Sequence, residues 1–86
     1  MTFTYKFDDG AEVSVSELKL SSREMRKLRS RSELDIAFDL LEAHLSEVEL
    51  ASIEAYVDAE GVEQDRDFTE VMAFFNKWFE GAIEGK

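Results

Sequence analysis

The chain has 86 residues, a formal net charge of −10, and neither cysteine nor proline. This length supports one domain with a single core. Without cysteine there is no disulfide or thiolate metal site, and one histidine cannot form a histidine cluster. No apolar run is long enough for a membrane span, and the N-terminus lacks the pattern of a signal peptide. We therefore expect an intracellular protein that does not associate with membranes.

The charges are unevenly distributed along the chain. Residues 1 to 31 contain seven basic and five acidic residues, whereas residues 32 to 86 contain three and fifteen. The basic residues of the first part concentrate in its second half, where we take Arg23, Arg26 and Arg29 as candidates for binding a partner. We expect this run to pair with acidic residues of this chain or of a partner. Nucleic acid is a less favoured partner, because the acidic remainder would repel it and no aromatic residue interleaves the run.

The first element predicted from the sequence is a β-hairpin over residues 1 to 16. Apolar side chains alternate with polar ones in two short runs, as in strands with one buried face. The apolar positions are Phe3, Tyr5 and Phe7, followed by Val13 and Val15. Between the runs, Asp8, Asp9 and Gly10 have the composition of a tight turn. An isolated hairpin is marginal in water, so its aromatic face must lie on helices or pair with another chain.

Four helices are predicted after the hairpin, at residues 22 to 30, 33 to 45, 47 to 59 and 68 to 80. Capping boxes open two of them, and a related Asp-Glu pair opens the last. These pairs are Ser21 with Glu24, Ser46 with Glu49, and Asp67 with Glu70. Gly61 and Gly81 are expected as left-handed residues at helix ends, and residues 62 to 67 as a polar connector. The predicted fold class is α+β, mostly α: a hairpin followed by a bundle of about four short helices in one domain, residues 1 to 86.

The second helix is predicted to be central. Its apolar residues recur at the three-and-four spacing of one helical face and extend beyond a single stripe. They are Leu34, Ala37, Phe38, Leu41 and Leu45, with Ile36, Leu40 and Ala43 beside them. The polar face is a narrow acidic ridge formed by Asp35, Asp39 and Glu42.

The last two helices supply the remaining partner-binding candidates. On the third helix, Ala51 and Ala55 belong to a smooth strip that either packs inside the domain or meets a partner helix. The last helix carries an aromatic stripe that includes Trp78, and such stripes are usually core. Phe74 stands at the edge of this stripe, so we expect it to be partly exposed and, with Trp78, to anchor a partner.

No residue pattern indicates catalysis, a cofactor or a metal. Twenty carboxylates guarantee close pairs by chance, and His44 at the end of a helix is better explained by a structural role. A calcium-binding EF-hand loop beginning at Asp58 would need glycine at its sixth position and glutamate at its twelfth, but this chain has Glu63 and Thr69 there. We therefore expect no catalytic, cofactor-binding or metal-binding residues, and a protein that is not an enzyme.

Two segments carry a resemblance to a known family. The chain has, in order, a short hairpin, a basic helix, the segment DIAFDLLE, and an acidic helix followed by AFFNKWFEGA. This order resembles the small tail assembly chaperones of long-tailed bacteriophages (siphoviruses), particularly those of actinobacterial hosts. The resemblance implies a protein that binds the tape measure protein, keeps it soluble and helps to recruit tail-tube subunits. It also implies action in the host cytoplasm, absence from the mature virion, and a longer form made by ribosomal frameshifting.

The oligomeric state and a second functional interpretation are not decided by these residues. The resemblance leaves self-association of the chain undecided. The competing interpretation is an acidic inhibitor or DNA-mimic protein that binds a basic partner, which the acidic second part favours and the basic run opposes.

Overall fold

The chain folds into two β-hairpins and four helices within residues 2 to 84, the part that this computed structural model describes. The first hairpin consists of β1 (Thr2–Lys6) and β2 (Glu12–Ser16), and is followed by α1 (Ser22–Leu28), α2 (Glu33–His44) and α3 (Glu47–Glu54). A second hairpin, β3 (Ala55–Val57) and β4 (Glu63–Asp65), precedes the long α4 (Phe68–Glu84). The predicted fold class, α+β and mostly α with an N-terminal hairpin, is confirmed.

The first hairpin forms as its alternating pattern predicts, although Met1 lies outside the described residues. Strands β1 and β2 are antiparallel, with Phe3 opposite Val15 and Tyr5 opposite Val13. The turn is closed by a hydrogen bond from the Gly10 N–H to the Phe7 carbonyl, with Gly10 at φ 94°. A side chain at this φ would be strained, so glycine is needed there.

The aromatic face of the first hairpin lies on α4. The ring of Phe74 is 5.7 Å from that of Phe3, 5.5 Å from Tyr5 and 6.0 Å from Phe7, measured between centroids. Trp78 stacks on Phe74, and its Nε1–H donates to the Ser16 carbonyl at 3.0 Å. These contacts join the first hairpin to the last helix through aromatic pairs and one partly buried indole hydrogen bond.

Phe74 is therefore completely buried, and our prediction that it is partly exposed was wrong. Helical periodicity placed it at the edge of the α4 stripe, and the hairpin covers that edge. Trp78 is buried as well. Neither side chain is accessible to a partner in this fold.

Helix α2 supplies the middle of the core. Ala37, Leu40 and Leu41 are buried, as predicted for a central helix, and the acidic ridge is exposed. Leu34 departs from the prediction, because 48% of its surface is exposed. The buried apolar residues of the whole described chain form one cluster: Phe7, Val13, Val15, Leu18, Leu28, Ala37, Leu40, Leu41, Leu45, Ile53, Val71, Phe74, Phe75 and Trp78.

The third helix ends earlier than predicted, because the chain turns into the second hairpin. The prediction of helix over residues 55 to 59 was wrong, since Ala55–Val57 forms a strand that pairs with Glu63–Asp65. The polar connector predicted at residues 62 to 67 is polar and mostly exposed, and it contains the strand β4. The Asp58 carboxylate accepts the N–H groups of Val62 and Glu60 and the side-chain amide of Gln64. Such local side-chain bonds compete with a continuing helix.

Gly61 is left-handed as predicted, but it serves this hairpin turn and not a helix end. It has φ 81°, and its N–H donates to the Asp58 carbonyl. The prediction for Gly81 was wrong, because α4 continues through it to Glu84. The capping boxes at Ser21 and Ser46 are confirmed. At α4, Asp67 Oδ1 accepts the N–H of Thr69, and no reciprocal bond from Glu70 completes a box among the described residues.

Replacing Phe74 by Ala should cost about 3 to 5 kcal/mol of unfolding free energy, because it empties the space among three hairpin rings and Trp78. Phe68→Ala is the matched control, since 49% of that ring is exposed. Urea denaturation followed by circular dichroism gives both values. Equal midpoints for the two variants would contradict the packing of Phe74 described above.

Candidate partner-binding surfaces

The partner-binding residues predicted from the sequence do not form one surface. Phe74 and Trp78 lie in the core. The predicted smooth strip is interrupted because α3 ends at Glu54: Ala51 is exposed beside Val48, whereas Ala55 is half-buried at the start of β3. Only the α3 part of this strip remains available.

The basic candidates Arg23, Arg26 and Arg29 are all exposed, on and just after α1. Of the whole basic run, Arg31 forms the one ion pair within the described residues, with Asp39 at 2.7 Å. Pairing of the run with later acidic residues is therefore confirmed for Arg31. The three candidate arginines present a positive surface to solvent.

Helix α1 is held to α2 by few contacts. Leu28 is its one buried residue. His44 Nε2, at the end of α2, donates to Glu24 Oε2 at 2.8 Å, which is a structural role of the kind predicted. The hydrogen bond from His44, together with one from the Ser21 backbone N–H, holds the pKa of the Glu24 carboxyl below its usual value. A cleft of about 210 Å³ lies between the two helices.

The least expected feature is Arg66, the one buried charged or polar residue within residues 2 to 83. Its Nε–H donates to Asp9 Oδ2 at 3.2 Å, in the turn of the first hairpin. Its Nη1 donates to the carbonyls of Ser52 at 2.7 Å and Ile53 at 2.8 Å. The guanidinium carbon also lies 3.8 Å from the centre of the Phe7 ring.

Arg66 satisfies groups that the fold would otherwise leave without partners. The last four carbonyls of a helix have no N–H donor within the helix, and Arg66 Nη1 supplies a donor to two of those in α3. The Arg66 backbone N–H adds a bond to the Glu54 carbonyl at 2.7 Å. Sequence analysis missed this residue because an arginine among acidic residues in a polar segment has the composition of a solvated loop.

A depression with an apolar wall opens between α2, the end of α3, the second hairpin and the start of α4. We call it the aromatic groove; it has a volume of about 370 Å³ and is lined by Phe38, Glu54, Asp65, Arg66, Phe68 and Val71. The rings of Phe38 and Phe68 stack with centroids 6.2 Å apart. Leu34 precedes Phe38 by one turn on the same side of α2, and about half of both Leu34 and Phe68 is exposed.

The polar edge of the aromatic groove is negative. Arg66 directs its bonds to Asp9 and to α3, so its charge is already paired. Glu54 and Asp65 are exposed, and neither takes part in an ion pair within the described residues. The sequence predicts Leu34 on the buried face of its helix, and no sequence pattern connects Leu34 or Phe68 with these carboxylates.

No three side chains of His, Asp or Glu are grouped so that they could hold a metal ion within residues 2 to 84. In the same part of the chain, no helix is both long and apolar enough to cross a bilayer. Comparison with protein-family models, with curated proteins and with solved structures found no match to this chain.

Replacing Arg66 by Met should cost about 3 kcal/mol, because it leaves the Asp9 carboxylate and two α3 carbonyls without their donor. Arg23→Met removes an equal charge from the exposed surface and should change stability by less than about 0.5 kcal/mol. Thermal and urea melts of the two variants measure the difference. If Arg66→Met is as stable as Arg23→Met, the buried network does not hold the fold together.

Replacing His44 by Ala should raise the pKa of Glu24 towards its usual value, because the main bond that lowers it is lost. In the wild type, the folded-state pKa is below the unfolded one. Glu24 therefore stabilises the fold above its unfolded pKa and loses that effect as the pH falls through its folded pKa. NMR titration of the side-chain carboxyl signals measures the shift.

Glu49 is the internal control in the same titration. Its pKa is also lowered, by backbone N–H groups of Ser46 and Ser16, and neither donor involves His44. We expect the Glu49 titration to stay the same in the His44→Ala variant. An unchanged Glu24 would contradict the α1 to α2 contact.

Proposed function

We propose that this chain is a non-catalytic tail assembly chaperone of a long-tailed bacteriophage, which binds the tape measure protein and keeps it soluble during tail assembly. Such a protein acts in the host cytoplasm, needs no cofactor, and leaves before the virion is complete. The support from sequence is the resemblance of the DIAFDLLE and AFFNKWFEGA segments, which belong to α2 and α4. In this role the tail-tube subunit is a second partner.

The observation that carries the proposal is the exposed apolar side of those same two helices. Leu34 on α2 and Phe68 on α4 lie beside and within the aromatic groove, with about half of each side chain in water. Exposed aromatic and aliphatic side chains grouped at one depression are typical of protein-binding sites. A long client with a repeating apolar stripe would cover them.

The energy available at this surface suits reversible binding. Completing the burial of two half-exposed side chains contributes about 1 kcal/mol each, taking half of the usual value for a whole side chain. Ordering the client opposes part of this gain. Contact with one groove is therefore weak, which allows release without ATP when the tail tube encloses the client.

The charge of the chain favours solubility of such a complex. Its net charge is −10, and most of the acidic residues follow Arg31. Like charges on neighbouring chaperones repel each other and oppose aggregation of the loaded client. The aromatic groove lies within this acidic part, so apolar contact and charge repulsion act in the same region.

Coexpression with the presumed tape measure protein tests the proposal. Wild-type chain should move the client from the insoluble to the soluble fraction, and the double variant Leu34→Ala with Phe68→Ala should lose most of this effect. The control variant is Val57→Ala with Ile83→Ala, which removes two other exposed apolar side chains. The proposal fails if wild type leaves the client insoluble, or if the groove variant, shown to be folded by circular dichroism, solubilises it as well as the control.

A further inference from the structure

We infer that the aromatic groove selects a cationic amphipathic helix: one bulky apolar side chain enters the groove, and Lys or Arg one turn away pairs with Glu54 and Asp65. This inference rests on the proposed function for the identity of the longer client protein. It adds the chemical class of the client segment, which the proposed function leaves unspecified.

The groove is large enough to admit a bulky side chain from a partner. Its volume of about 370 Å³ falls in the lower range of pockets that bind small molecules. The stacked rings of Phe38 and Phe68 form an apolar wall, and Val71, a buried member of the core cluster, also lines the groove. The apolar character of the wall requires an apolar occupant, since a polar group there would lose its bonds to water.

The charge at the edge of the groove adds the second requirement. Glu54 is the last residue of α3, and its side chain is exposed. Asp65 lies at the same end of the second hairpin, opposite Ala55, the next residue after Glu54. Arg66 already occupies the carbonyls at the end of α3, so the negative potential at this side of the apolar wall comes from the two carboxylates of Glu54 and Asp65.

The chain itself supplies no cation to neutralise this edge within the described residues. After Arg31, its basic residues in this range are Arg66, which is paired with Asp9, and Lys77, which lies 3.9 Å from Glu80. A partner cation would therefore meet unpaired carboxylates. On a helical partner, a basic residue three or four positions from the apolar anchor lies on the same face and reaches the edge.

Peptide binding to the full chain tests the inference. Two fluorescent peptides of about 18 residues, long enough to form a helix, share one Leu and Phe stripe and differ only in carrying Lys or Glu one turn from it. The lysine peptide should bind wild type about tenfold more tightly than the glutamate peptide, as expected for two exposed ion pairs. The preference should weaken as salt is added.

Charge-neutral variants locate the preference. The Glu54→Gln, Asp65→Asn variant should bind both peptides alike. The Glu17→Gln, Glu47→Gln variant removes two exposed carboxylates outside the groove and should keep the wild-type preference. Equal binding of the two peptides to wild type, no binding of the lysine peptide, or a preference that persists in the Glu54→Gln, Asp65→Asn variant would overturn the inference.

Failure of this inference is distinguishable from failure of the proposed function. If wild type solubilises the coexpressed client but does not discriminate between the peptides, the charge preference is wrong and the chaperone function stands. If the peptides are discriminated through Glu54 and Asp65 while the client stays insoluble, the groove chemistry stands and the tape measure assignment fails.

Discussion

The buried side chain of Arg66 connects the first hairpin to the end of α3. The guanidinium of Arg66 bonds at once to Asp9 in the first hairpin and to the carbonyls of Ser52 and Ile53 at the end of α3. A buried charge is tolerated only where its donors are used, so the three segments can assemble in few other ways. Phe68 follows Arg66 by two residues, and the position of the aromatic groove therefore depends on the same network.

Local signals in the sequence were sufficient for the fold class and for several element boundaries. The capping boxes at Ser21 and Ser46 and the first hairpin depend on residues within a few positions of each other. The turn of the second hairpin has the same geometry as the turn of the first. In each turn, the N–H of a glycine at positive φ donates to the carbonyl three residues earlier, Gly10 to Phe7 and Gly61 to Asp58. The alanine-rich sequence before the second turn favoured helix instead.

The candidate site could not be derived from the sequence, because its parts come from four elements that are distant along the chain. Periodicity identified the apolar faces of α2 and α4 but not which part of each face is covered. Leu34 and Phe68 lie in the first turns of their helices and remain half exposed, whereas Phe74, further along α4, is covered by the hairpin. Which residues are covered depends on tertiary contacts, including those of Arg66.

In the proposed complex, the apolar stripe of the client lies against the aromatic groove and the positive surface of α1 stays free. Amide hydrogen exchange on the chain, alone and in complex with the coexpressed client, tests this placement most directly. The account predicts added protection in residues 33 to 38 and 68 to 72, with α1 (Ser22–Leu28) unchanged. Protection confined to α1, or spread evenly over the chain, would contradict it.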